Sequence, residues 1–283
     1  VRSYPHSSLL FYTLKEPVEF SGVGIHTGKS SKVLLFPSRE GMIRMGCERS
    51  STLFPLSPAC VVDTYLSTAV QIGDRIVYTV EHLLSALLGL QVHSVDIVVE
   101  GDEIPILDGS SLSFVEEIEP FLLLSSSPPR YITLEERIRV EEGDGWIEIA
   151  PSPYLTVDLT IEFSHPAVGI QRYIYRHSTE NYRKEIAPAR TFGFLKDVER
   201  IWKEGRGKGG SLQNALLLDE KSVINPEGLR LPQEFVRHKI LDLLGDFYLL
   251  NAFPLLSVRG YKSGHSLHRK VVQKIQERVG NLC

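Results

Sequence analysis

Cysteine is scarce in this chain: three in 283 residues, Cys47, Cys60 and Cys283, with no C-x-x-C pair among them. So dispersed and odd a set indicates neither a disulfide framework nor a structural zinc knuckle, and it suits a reducing compartment. Long apolar runs are missing too. Nothing approaches the roughly 20 apolar residues of a membrane span, so no stable membrane insertion is expected. Positive charge is not in surplus, since 31 Lys and Arg against 35 Asp and Glu leave a net charge of −4. Phosphate backbones are bound by excess cations, and no nucleic-acid partner is expected. The opening Val1-Arg2-Ser3-Tyr4-Pro5-His6 holds no apolar stretch and no Met, so no signal peptide is expected and the cytoplasm is the expected location.

What is present is ample core material, with 42% hydrophobic residues and 23% charged. The length exceeds a single ordinary core, and Ser125-Ser126-Ser127-Pro128-Pro129 reads as a linker because prolines end a helix and serines bury little. Two domains follow, residues 1–125 and 130–283. In the first, alternation and β-branched content predict strands at 18–25, 31–35 and 95–99, and helices at 80–90 and 113–124, with Thr79 capping the former. In the second, strands are predicted at 132–140, 146–150 and 154–163, and helices at 179–186, 195–203, 233–250 and 266–279. Strands grouped with helices, without regular alternation, point to the α+β class, each domain a layered sheet and helix sandwich.

The most informative run is Val236-Arg237-His238-Lys239-Ile240-Leu241-Asp242, continued by Leu243-Leu244-Gly245-Asp246. His238 and Asp242 stand four apart at helical spacing, so both project from one face, as two ligands of one metal ion would. The first half offers a third. Val80-Glu81-His82-Leu83-Leu84-Ser85-Ala86-Leu87-Leu88-Gly89 lies over Val236 to Gly245 without a gap, in the frame V-x-H-x-x-x-x-L-L-G. This repeat suggests two related halves packed face to face by their helices, each presenting a histidine to the seam.

Two histidines and a carboxylate, with a fourth position left to water, is the donor set of a catalytic zinc suited to hydrolysing an ester or amide. Glu81, beside His82, is then the candidate general base. His265, in Lys262-Ser263-Gly264-His265-Ser266, could as imidazolium stabilise an oxyanion and then protonate a leaving amine. Asp246, one turn beyond Asp242, could hold that histidine charged. Taken singly, Asp246 is as readily a helix-surface carboxylate and His265 a loop histidine. The stretch Gly205-Arg206-Gly207-Lys208-Gly209-Gly210-Ser211 lacks the G-K-[ST] ending of a P-loop and reads as a flexible active-site loop.

Seven blocks in order carry a resemblance: S-G-x-G-I-H-T-G from Ser21, T-V-E-H from Thr79, E-I-P-I-x-D-G-S from Glu103, A-R-T-F-G-F from Ala189, G-G-S from Gly209, V-R-H-K-x-x-D-x-x-G-D from Val236 and S-G-H-S from Ser263. Together they resemble the zinc-dependent UDP-3-O-acyl-N-acetylglucosamine deacetylases of lipid A synthesis in Gram-negative bacteria. The resemblance implies removal of the N-acetyl group from UDP-3-O-(3-hydroxyacyl)-N-acetylglucosamine by a monomer holding one zinc ion on His82, His238 and Asp242. It implies that Glu81 is the base and that His265, backed by Asp246, acts as a cation. Thr191 would help hold the oxyanion, while Lys239 and Lys262 would face the polar and diphosphate portions. Phe163 would contact the nucleotide. The segment 192–211 would form an apolar passage for the acyl chain, with Phe192, Phe194, Leu195, Val198, Trp202, Gly210, Ser211 and the nearby Ala215 as contacts. An ordinary amphipathic helix is the rival reading of Val198 and Trp202.

His26 and Asp108 sit in turn-forming sequence and are assigned to structure first. Some relatives carry a histidine in the segment matching residues 63–68; none is present here. Some are fused to a dehydratase domain, and a chain ending at Cys283 is expected to lack one. A kinase-like protein using the glycines for a nucleoside triphosphate would leave Glu81, His82, His238 and Asp242 idle. A nucleotide-sugar sensor without chemistry would have no need of so complete a catalytic set.

Overall fold

In a computed structural model the protein is described over residues 9–48, 50 and 52–280; Cys283 and the opening residues 1–8 lie outside that range. Two five-stranded sheets dominate it. The first runs Val18–Val23, Ser30–Pro37, Val95–Glu100, Ile43–Cys47, Phe54–Pro55, and the second Ile138–Glu142, Gly145–Pro151, Leu256–Tyr261, Thr156–Glu162, Ile170–Arg176. In each, the strand last in sequence sits at the centre, antiparallel to one neighbour and parallel to the other. The topologies are the same, so the ten-residue repeat in the sequence is the visible part of a duplicated fold.

Alternation explains these strands. Val95, Ile97 and Val99 are buried in the central strand of the first sheet, as are Val157, Leu159 and Ile161 in the strand beside the centre of the second, with the residues that alternate with them only partly covered. Each half places at least one helix before its central strand and one after it. These are α1 (Glu81–Gly89) and α2 (Leu112–Ile118) in the first half. In the second, α3 (Thr179–Asn181) and a wide turn at Tyr182–Ile186 come first, then α4 (Leu195–Lys203), α5 (Glu234–Tyr248) and α6 (His265–Val279). The central helices α1 and α5 pack on each other, and all nine residues of α1 are buried. Helices therefore meet at the seam with the sheets outside, an α+β sandwich in each half. No helix among the described residues is long and apolar enough to cross a membrane.

Both halves carry an insertion between the fourth strand and the central helix. In the first it is a three-stranded sheet of Val61–Asp63, Ala69–Ile72 and Arg75–Val77; in the second, Phe192–Phe194 pairs with Leu216–Leu218 around α4. Arg206 from the second insertion pairs with Asp63 of the first, and the Tyr65 hydroxyl bonds Glu204 at 2.5 Å. The chain leaves the first half by Leu122–Leu124, paired with Tyr12–Leu14, and enters the second by Tyr131–Ile132, paired with Phe253–Pro254. We propose residues 125–129 as the division between domains.

Three expectations need correction. The helix expected at 113–124 ends at Ile118, because Pro120 closes it into one tight turn before the strand Leu122–Leu124. The strand expected at 132–140 is two, Tyr131–Ile132 and Ile138–Glu142, which belong to different sheets. Thr79 does not cap α1. It adopts a left-handed conformation, φ 60°, and its hydroxyl donates to Glu103 at 2.8 Å.

Candidate active site

The repeat frame brings its histidines together. The His82 and His238 rings meet edge to face, centroids 5.1 Å apart, at the α1–α5 crossing. Asp242 Oδ1 lies 3.3 Å from His238 Nε2 and 3.8 Å from His82 Nε2. A tetrahedral ion with ligand bonds of about 2.0–2.1 Å separates its ligands by about 3.3 Å, so these three atoms stand where one ion would gather them. Asp242 Oδ1 is buried and bonds nothing in the protein, while Oδ2 accepts from Lys239 Nζ at 2.9 Å. His238 Nδ1 donates to the Ala189 carbonyl at 3.0 Å, which leaves Nε2 as a lone-pair donor. Burial lowers both imidazoles, His82 to about 3 with the neighbouring His238 helping. Neutral imidazole is the ligating form. Burial would raise the Asp242 carboxyl, but His238, Lys239, His265 and His82 outweigh it and hold the group well below the usual range. These donors fit a divalent metal ion.

Beside them lies a second constellation. Glu81 Oε1 is 3.8 Å from His265 Nε2, and its Oε2 accepts the Thr68 backbone N–H at 3.0 Å. His265 Nδ1 donates to Asp246 Oδ2 at 2.7 Å, and the Thr68 hydroxyl donates to Asp246 Oδ1 at 2.5 Å. Burial, with Asp246 and Asp242 adding to it, pushes Glu81 up to about 8 against the pull of His265. Burial acts to lower His265, but Asp246, Glu81 and Asp242 prevail and raise it to about 9. A cation bound at His82, His238 and Asp242 would draw Glu81 back toward its charged form.

Glu81, His82 and Thr191 also line a cavity of about 380 Å³. The rest of its wall is largely apolar, with Phe192, Leu195, Val198, Trp202 and Ala215 alongside Ile25, Leu66, Ile106, Ile201, Leu212 and Leu217. Gly210 and Ser211 line it as well. The glycine-rich loop docks by backbone hydrogen bonds on the turn that holds His26, with Gly209 N–H on Ile25 and Lys208 N–H on His26. Gly209 must be glycine, because a Cβ there would lie 2.2 Å from the Gly24 carbonyl oxygen.

Phe163 and Phe194 stand outside that wall. Phe163 packs 5.6 Å from Phe192 and 5.8 Å from Phe194, and Phe192 reaches the His238 ring at 6.3 Å, so the three form an aromatic shelf leading to the ligands. Lys262 Nζ sits 3.3 Å from Glu162, next to Phe163 in sequence. Asp108 accepts from the Ser110 N–H and hydroxyl and pairs with Arg230, which fixes its turn.

Sequence reasoning passed over Thr68, which touches Glu81, Asp246 and His265, and His268, whose Nδ1 also lies 2.7 Å from Asp246 Oδ2. His268 carried a signal, three residues after His265 on a helix and hence on the same face. Thr68 carried none, because its partner Asp246 lies 178 positions away. His26, read as a turn residue, lines the cavity, and its Nδ1 is buried without a partner.

Comparison with known proteins agrees over nearly the whole length. The sequence model of the family described as UDP-3-O-acyl N-acetylglycosamine deacetylase matches residues 12–277. A UDP-3-O-acyl-N-acetylglucosamine deacetylase of Nautilia profundicola is 39% identical over 266 residues, 93% of this chain and 90% of that protein. The deacetylase of Sulfurimonas denitrificans is 38% identical over 272 residues, 95% and 92% of the two chains, and that of Haemophilus influenzae strain PittEE is 38% identical over 276 residues, 93% and 88%. Similarity of that extent, with one fold and one site built from the matched residues, makes this chain a member of the UDP-3-O-acyl-N-acetylglucosamine deacetylase family.

Proposed function

We propose that this enzyme hydrolyses the N-acetyl group of UDP-3-O-(3-hydroxyacyl)-N-acetylglucosamine, an early step of lipid A synthesis, in the cytoplasm of a Gram-negative bacterium. The observation that carries the reading is Glu81 Oε1 facing His265 Nε2 at 3.8 Å beside the His82, His238 and Asp242 donor set, next to an apolar cavity. One zinc ion on those three ligands would supply Lewis acidity toward the amide carbonyl and toward water. Glu81 takes the proton of the attacking water. Thr191 and the His265 cation face the oxygen that gains charge, and His265 gives its proton to the departing amine, so acetate and a free 2-amino sugar result. Asp246 keeps His265 charged, and Lys239 occupies Asp242 Oδ2 so that Oδ1 remains for the metal.

Leu195, Val198, Trp202, Gly210, Ser211 and Ala215 receive the acyl chain, whose burial in an apolar channel is favourable at about 0.8 kcal/mol per methylene. Phe163, with Phe192 and Phe194, meets the nucleotide end, and Lys262 its diphosphate. One chain supplies every one of these groups, which supports a monomer.

The test is acetate release from the 3-hydroxymyristoyl substrate by chelator-stripped protein, with and without one equivalent of zinc. Release restored by zinc is expected. Folded, zinc-replete protein that releases none would overturn the reading.

A further inference from the structure

Asp246 accepts three side-chain hydrogen bonds at the seam. Its Oδ1 takes the Thr68 hydroxyl at 2.5 Å, and its Oδ2 takes both His265 Nδ1 and His268 Nδ1, each at 2.7 Å. His265 and His268 occupy the first turn of α6, three residues apart, with ring centroids 5.9 Å apart. His268 is wholly buried and touches neither the ligand set nor the cavity wall. Yet it is not inert filling, because its other nitrogen, Nε2, lies 3.1 Å from the Ser263 hydroxyl.

The tautomer follows from these partners. An Nδ1 lone pair facing a carboxylate oxygen at 2.7 Å would be repelled, so Nδ1 carries the proton and donates. Nε2 then accepts from Ser263 Oγ. The carboxylate thus fixes which nitrogen of His268 is protonated, Ser263 holds the ring from its other side, and His268 fixes the carboxylate plane of Asp246. Without His268, Oδ2 would have one donor and the carboxylate could rotate away from His265 about the Thr68 bond.

We propose that His268, held by Ser263, is a positioning residue for the deacetylation: it orients Asp246 and, through it, the His265 imidazole that meets the substrate. This rests on the role given to His265 above. The arrangement needs the N–H at the Nδ1 position and not the ring itself, so an asparagine, whose amide can offer a donor at that place, substitutes for histidine whereas an isosteric apolar side chain does not.

The experiment compares His268→Leu, His268→Asn and Ser263→Ala in the zinc-loaded full chain, measuring kcat, KM, metal content and thermal unfolding, with His265→Ala as the control. Expected for His268→Leu is a loss of about 10- to 100-fold in kcat, the scale seen when an orienting partner is removed, with KM and zinc content unchanged. His268→Asn should recover most of the rate. Equal kcat for the Leu and Asn variants, whether high or low, would overturn the proposal. Should His268→Leu fail to fold, Ser263→Ala decides: a lowered kcat at unchanged KM supports the positioning role, and an unchanged kcat refutes it. A His265→Ala enzyme of normal rate would instead remove the role of His265, a failure distinct from that of His268.

Discussion

Residues 80–90 and 236–246 share a histidine, a leucine pair and a glycine, yet Leu83, Ala86 and Leu90 of the first are matched by Lys239, Asp242 and Asp246 in the second. The fold around them is duplicated strand for strand, so the difference lies in what the two helices carry. Apart from Glu81, His82 and Ser85, α1 is apolar, and it is buried along its whole length. By contrast α5 bears a polar stripe at spacing four, His238, Asp242 and Asp246, which would supply two of the proposed metal ligands and pairs Asp246 with His265. A duplicated fold can thus build an asymmetric centre by placing Lys239, Asp242 and Asp246 on one helix where the other has apolar residues, while that other helix contributes Glu81 and His82 at its start.

The sharpest way to break the comparison is to remove the histidine that both helices share. His82→Ala and His238→Ala should each abolish stoichiometric zinc binding and, with it, turnover. Glu81→Ala should keep the metal and lose about 10²- to 10⁴-fold in rate, the usual worth of a general base. Metal analysis beside acetate release separates the two. A His82→Ala protein that still binds one equivalent would leave the seam site to α5 alone.

The duplication was legible in the sequence only where chemistry had conserved its frame within the chain, at the two histidine helices. The central strand of the first sheet and a neighbour of the centre in the second read correctly as well, because one-sided burial forces alternation at 95–100 and 156–162. Strands such as Ile43–Cys47 and Leu256–Tyr261 escaped. In Ile43–Cys47 four of five residues are buried, which erases the period of two, and in Leu256–Tyr261 the inward position after Val258 is Gly260, which carries no apolar side chain to mark it. Ligand spacing of four was readable, since a helix converts it directly into a shared face. Thr68 was not, because a contact across 178 positions exists only once the first insertion has folded over the seam.

A smaller effect separates the two glycines that end the shared frame. A Cβ on Gly245 would stand 2.0 Å from the Glu81 carbonyl oxygen, and one on Gly89 would stand 2.1 Å from the Tyr182 ring. Both alanine variants should be destabilised by about 1–3 kcal/mol or more through overpacking. Only Gly245→Ala moves the backbone of Glu81, the proposed general base, so it alone should also lose about 10²-fold in kcat, as misplacement by an ångström can. Thermal melts and rates measured together check this, and equal kcat losses for both would dissolve the distinction.

Next in size is the anchoring of the two imidazoles. His238 is held by the Ala189 carbonyl, and that segment is tied to the start of α5 by the buried pair Arg190–Glu234, 2.9 Å apart. His82 Nδ1 has no partner. Glu234→Gln should therefore weaken zinc affinity by about 10- to 100-fold through His238 while all three ligands remain. It should also cost about 3–5 kcal/mol of stability, because Arg190 would stay buried without its full counter-charge. Competition with a chelator of known affinity measures the first and denaturant unfolding the second. Unchanged zinc affinity in a destabilised protein would show that the anchor serves the fold alone.

The smallest expected effect is the displacement of a curve, and it tests the polar stripe directly. His265 is raised to about 9 because Asp246, Glu81 and Asp242 outweigh its burial, so the cation is complete below neutral pH and is lost as pH rises through that value. The alkaline limb of kcat/KM should fall in the same region. In Asp246→Asn one of those charges is gone and burial, which favours the neutral ring, gains ground; the limb must move to lower pH and the rate at neutrality must drop with it. An alkaline limb unmoved by Asp246→Asn, with chemistry shown to be rate-limiting, would mean that some other group titrates there. The stripe on α5 would then reduce to its metal ligands, and the contrast between the helices would rest on His238 and Asp242 alone.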